Sequence, residues 1–113
     1  MKLIFDVYGI QFNDLERARH LVERALSINL VPHDSLYHCG NYYRHQATDS
    51  ETVILQRNYD PLEQDRSLES HQEIPLLLYI NASRRADLLQ RKLANEAGIS
   101  HLHRDEVMAD EQQ

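Results

Sequence analysis

Residues 74–80 read IPLLLYI, an apolar run with no polar break. A strand that touches water on one face alternates apolar and polar residues; a run without alternation belongs to a strand buried on both faces. The chain is therefore expected to build a layered fold around this segment. Leu77 and Leu78 should point to opposite sides of the strand and both should be buried.

The rest of the chain supplies elements to pack against it. Residues 2–8 alternate, with Leu3, Phe5 and Val7 on one side and Lys2, Ile4, Asp6 and Tyr8 on the other. This pattern predicts an internal first strand whose apolar side is Leu3, Phe5 and Val7. Asn13 and Glu16 have the spacing of a capping box. Leu15, Ala18, Leu21, Val22, Ala25, Leu26 and Ile28 then recur at helical intervals, and the helix is expected to end near Asn29, ahead of Pro32. Leu36–His45 reads as a second strand, with Gly40 a bulge or a point of close approach. ATDSE is turn chemistry, and residues 52–59, TVILQRNY, form the return strand of a hairpin. Residues 60–73 are polar, acidic and loop-like. A second helix follows IPLLLYI, capped by Asn81 or Ser83, with Ala86, Leu89, Leu93 and Ala97 inward and Gly98 at its exit. HLHRDEV adds a short strand at the sheet edge.

The order is β-α-β-β-β-α with a final β. It predicts an α+β two-layer sandwich: two helices on one face of a mixed four- to five-stranded sheet. Residues 1–107 form a single domain, and 108–113 a frayed tail. Lone Cys39 cannot make an internal disulfide, which suits the cytoplasm. No apolar run reaches the ~20 residues of a membrane span. Twelve basic residues against eighteen acidic ones give a net charge of −6. Direct nucleic-acid binding, which needs clustered Lys and Arg, is disfavoured. A basic protein partner fits this balance.

YHCGNYYRHQ, residues 37–46, gathers the most reactive side chains. As a metal site it fails on geometry. His38 and Cys39 point to opposite faces of a strand, and Cys39 and His45 lie roughly 20 Å apart at ~3.3 Å per residue. His101 and His103 share a face of the last strand without an evident carboxylate partner. A nucleophilic Cys39 needs a base within ~3 Å, and His38 faces away from it. No cofactor motif is present. As a contact surface the segment is better suited: Tyr37, Tyr43 and His45 share one face, Tyr42 and Arg44 the other. Tyr59 ends the next strand beside Asp60, Glu63, Asp65 and Glu69. Tyrosine and arginine are favoured anchors of protein interfaces.

The stretch GNYYR, a turn, VILQRNYDP, an acidic loop and IPLLLYINAS resembles small bacterial immunity proteins of polymorphic-toxin systems, including contact-dependent growth inhibition. The matching positions are Gly40, Tyr42, Tyr43 and Arg44; Ile54, Gln56, Asn58 and Pro61; and Leu77, Leu78 and Tyr79. The resemblance covers residues 40–81. It implies a non-enzymatic antitoxin that holds a cognate toxin domain, usually a nuclease, inactive inside the producing cell. The residues expected to meet that partner are Tyr42, Tyr43, Arg44, Tyr59, Asp60, Glu63, Asp65 and Glu69. Two competing readings stand beside it: a regulatory or ligand-binding α+β module that oligomerises through its sheet, and a small enzyme using His38 or Cys39.

Overall fold

A computed structural model describes residues 2–35, 40–47, 50–58 and 73–108. The elements are β1 (Lys2–Ile10), α1 (Leu15–Leu26), β2 (Val31–Ser35), β3 (Gly40–Gln46), β4 (Thr52–Arg57), β5 (Leu76–Ser83), α2 (Ala86–Ala94) and β6 (Ile99–Met108). The strands form one six-stranded sheet in the order β2-β3-β4-β5-β1-β6. Both helices pack on it, giving the expected α+β class.

Two details of the sheet differ from expectation. It is antiparallel at every junction rather than mixed. The α1 crossover does not bring β2 back beside β1 but carries it to the far edge, so no parallel neighbours arise. The sheet also has six strands, because residues 31–35 form an edge strand of their own ahead of the hairpin. Pro32 lies in β2, and an edge is where a sheet tolerates a residue without an N–H. Gly40 opens β3 at φ +94, and a Cβ there would meet nothing among the described residues within 4 Å. The positive φ, which glycine adopts without a Cβ penalty, accounts for the residue type at this position.

Each helix buries a stripe set by the 3.6-residue period: Ala18, Val22 and Leu26 in α1, and Ala86, Leu89 and Leu93 in α2. Asp14, not Asn13, caps α1; its Oδ1 accepts from the Arg17 N–H at 3.1 Å. The helix stops at Leu26 because Ser27 turns left-handed, φ 57. Arg85 occupies the N-cap of α2 without a side-chain cap bond. The Ser83 hydroxyl instead accepts from the Arg85 N–H at 3.2 Å. Gly98, at φ +87, turns the chain into β6.

The stripes close over Tyr8, Ile10, Val53, Leu55, Leu76, Leu78 and Ile80. In β1 the core-facing side is thus Ile4, Asp6, Tyr8 and Ile10, while Leu3, Phe5 and Val7 stay half-buried on the helix-free face. Alternation separated the two sides of β1 correctly, but the helices cover the side that contains Asp6. Leu77 and Leu78 are both fully buried, on opposite faces as predicted: Leu78 in the helix-covered core, Leu77 across from Gly9. A Cβ on Gly9 would come within 2.9 Å of Ile74 and 3.0 Å of Leu102. Part of the helix-free face is therefore tightly packed as well. Among the described residues no helix is long and apolar enough to cross a membrane.

Candidate functional site

The hairpin strands place their residues in two cross-sheet rows. Directly opposed residues in neighbouring strands share a face. On the helix-covered face, Tyr43 lies opposite Leu55, Leu55 opposite Leu78, Leu78 opposite Tyr8, and Tyr8 opposite His101. On the helix-free face the row runs Val31, Arg44, Ile54, Tyr79, Val7 and His103, one residue from each strand. Beside Val7 lie Phe5 and Leu3, half-buried, and Val107, opposite Leu3 and 47% exposed. An aliphatic and aromatic strip bordered by charge is the usual composition of a protein-contact surface.

The three hairpin residues expected to meet a partner therefore separate. Arg44 is exposed, and its guanidinium donates to Gln46 Oε1 at 3.0 Å. Tyr42 is on the same face but is only 8% exposed, stacked on His33 with ring centroids 5.4 Å apart. Tyr43 is on the other face and ties β3 to α1. Its hydroxyl donates to Glu16, and the Arg19 guanidinium sits 4.8 Å from its ring centre. That bond lowers the Glu16 carboxyl below its ordinary range and raises the Tyr43 phenol. Tyr43 thus packs against the core instead of standing free. Tyr37, His38, Cys39, Tyr59, Asp60, Glu63, Asp65 and Glu69 lie outside the described residues. Among the described residues no three His, Cys, Asp or Glu side chains gather as a metal ion would need.

Sequence reasoning missed a buried polar cluster on the helix-covered face. Asp6 is 1% exposed. It receives Arg104 Nε at 2.8 Å, Arg104 Nη2 at 3.0 Å and His101 Nε2 at 2.9 Å. Arg104 also donates to Asp87 at 2.8 Å and to Gln90 Oε1 at 3.1 Å. Hydrogen bonds to Asp6 and then to Asp87 raise the Arg104 pKa further, and the Arg104 bond holds the Asp87 carboxyl low.

Two irregularities in the ladder make the cluster possible. The register of β6 against β1 shifts between Val7 and Tyr8, leaving Leu102 as the extra residue. Two successive residues, Leu102 and His103, then fall on the helix-free side, and His101 and Arg104 both face Asp6. Without that shift His101 and Arg104, three apart, would lie on opposite faces. The expectation that His101 and His103 share a face fails for this reason. His103 pairs instead with Asp105 at 3.0 Å. On the other side of β1, the β5 register shifts between Ile4 and Asp6, near Ala82 at φ 55. The sequence signal for the cluster was an acid inside an otherwise apolar strand.

A second ionic cluster sits at the C-terminal end of β5. Glu51 is 5% exposed; it accepts from Ser83 Oγ at 2.7 Å and from Arg85 Nη2 at 2.8 Å. Burial pushes the Glu51 carboxyl up, but the Arg85 and Ser83 hydrogen bonds outweigh it and hold the group below its usual range. It lines an open groove of about 580 Å³ together with His45, Arg84 and Lys92.

No protein-family model matches the chain, and no curated protein matches its sequence.

Proposed function

We propose that this chain is an immunity protein, which binds and neutralises a cognate toxin domain by protein–protein contact in the cytoplasm of the producing cell. The observation that carries the reading is the convergence of the motif strands. β3, β4 and β5 are adjacent in the sheet, so the matching positions Tyr42 and Arg44, Ile54 and Gln56, and Leu77 and Tyr79 share one helix-free face. Tyr42, Ile54, Gln56 and Leu77 build the packed floor of that face, while Arg44 and, next to Val7, Tyr79 reach its surface. A net charge of −6 suits a basic nuclease as the partner. In this role the chain is no enzyme, needs no cofactor, and touches neither nucleic acid nor membrane directly.

The test is co-expression with the C-terminal domain of a large secreted protein encoded in the adjacent upstream reading frame. The two chains should co-purify, and co-expression should protect cells from that domain. Association should slow as salt rises, and also when Asp60, Glu63, Asp65 and Glu69 are all neutralised. Absence of both co-purification and protection would refute the reading.

A further inference from the structure

We propose that the cavity between α2 and the β1–β6 pair binds a small neutral molecule carrying an amide or lactam edge on a planar apolar body. The cavity has a volume of about 220 Å³ and is lined by Tyr8, Gln90, Leu93, Ala94, Ile99 and His101. It lies on the helix-covered face, across the sheet from the proposed toxin contact, and does not depend on that reading.

Tyr8 points to a ligand. Its side chain is one of the largest fully buried ones, 2% exposed, yet among the described residues its hydroxyl has no hydrogen-bond partner. Leaving a buried hydroxyl unsatisfied costs about 1–3 kcal/mol, so such groups are rare in native cores and call for an occupant. Burial first, and then the nearby Asp6 charge, push the phenol pKa upward, so the hydroxyl stays protonated and can donate.

The neighbouring groups define the complement. His101 meets the Tyr8 ring edge-on, centroids 5.1 Å apart at 73°. Its Nε2–H is taken by the Asp6 carboxylate, so the ring nitrogen left to meet a ligand is Nδ1, an acceptor in the neutral imidazole. The Gln90 carbonyl is occupied by Arg104, which leaves its NH2 as a donor. Donors and an acceptor together match a ligand that presents C=O and N–H side by side. Leu93, Ala94 and Ile99 match its apolar body. An anion is disfavoured, because Asp6 and Asp87 set two carboxylates against the single Arg104 guanidinium they share. Size limits the ligand to one ring: sites for drug-sized molecules span roughly 300–1,000 Å³, and this one is smaller.

The experiment is an amide-resolved NMR titration of the whole protein with benzamide, benzoate and toluene, repeated on Tyr8→Phe. Benzamide should give saturable shifts at Tyr8, Gln90, Ile99 and His101, with benzoate and toluene at least tenfold weaker. Tyr8→Phe keeps the ring, should melt no lower than the wild type, and should weaken benzamide about tenfold, the loss of one buried hydrogen bond. Three results would overturn the proposal. One is no saturable benzamide shift, with a crystal structure showing only a water on the Tyr8 hydroxyl. Another is equal benzamide affinity in the wild type and Tyr8→Phe. The third is tighter binding of benzoate than of benzamide.

Discussion

Asp6→Asn changes one atom type in the middle of the sheet and should be among the most damaging isosteric substitutions in this protein. The carboxylate is 1% exposed and receives three charge-assisted contacts between 2.8 and 3.0 Å. Removing one partner of a buried ion pair costs about 3–5 kcal/mol, because the other charge is left uncompensated. Here Arg104 is a quarter exposed and keeps Asp87 and Gln90, which places the loss near the lower end, about 3 kcal/mol. With a urea slope of about 1.5 kcal/mol/M for a domain of this size, the unfolding midpoint should fall by about 2 M. Lys2→Met is the internal control. It breaks a β1–β6 pair of similar length, Lys2–Glu106 at 3.0 Å, whose side chains are both more than half exposed; such a pair is worth under ~1 kcal/mol. The double substitution Asp6→Leu, Arg104→Met should recover most of the loss, since apolar isosteres of a buried pair are often neutral or better. An Asp6→Asn midpoint no lower than that of Lys2→Met would refute the reasoning about this cluster.

Leu77→Ala and Leu78→Ala should each cost roughly 2–5 kcal/mol in denaturant unfolding, because both faces of β5 are fully buried; a near-neutral Leu77→Ala would mean that the helix-free side of β5 is not packed. Tyr43→Ala should lower stability by about 2 kcal/mol, about half the cost of truncating a fully buried ring, whereas Tyr43→Phe should keep most of the packing and cost less. Glu51 has a folded pKa below its unfolded value, so its stabilising contribution is complete above about pH 4.5 and fades as pH falls through the folded pKa. Glu51→Gln should be less stable than wild type at pH 7, with the gap narrowing on acidification below pH ~4.5; a gap independent of pH between 7 and 3 would contradict the linkage.

The sequence carried the local half of this structure. The unbroken run at 74–80 announced a strand buried on both faces, and helical spacing located both helices to within a few residues. These signals are local: they depend on neighbours two to four positions away. What failed depends on distant partners. Alternation separated the two sides of β1 but could not tell which one the helices would cover, since Asp6 is acceptable inside only because Arg104 arrives from 98 residues later. A one-residue shift at Leu102 then reversed the faces of the last strand, and strict alternation has no way to register it. The hairpin tyrosines show the same limit: Tyr42 and Tyr43 were correctly placed on opposite faces, but the partner that claims Tyr43 is on α1, 27 residues away.

The most direct test of the proposed contact is the calorimetric affinity of the toxin domain for three variants. Arg44→Ala, alone or with Tyr79→Ala, removes the surface-reaching part of the helix-free row. Leu88→Ala alters a 40% exposed residue of α2, on the helical layer. If the helix-free face is the contact, Arg44→Ala weakens binding about tenfold, roughly 1.4 kcal/mol; the double variant weakens it further and Leu88→Ala leaves it unchanged, with all three melting within a few degrees of wild type. Wild-type affinity in the Arg44→Ala, Tyr79→Ala variant, together with a loss in Leu88→Ala, would place the contact on the helices and contradict the proposal.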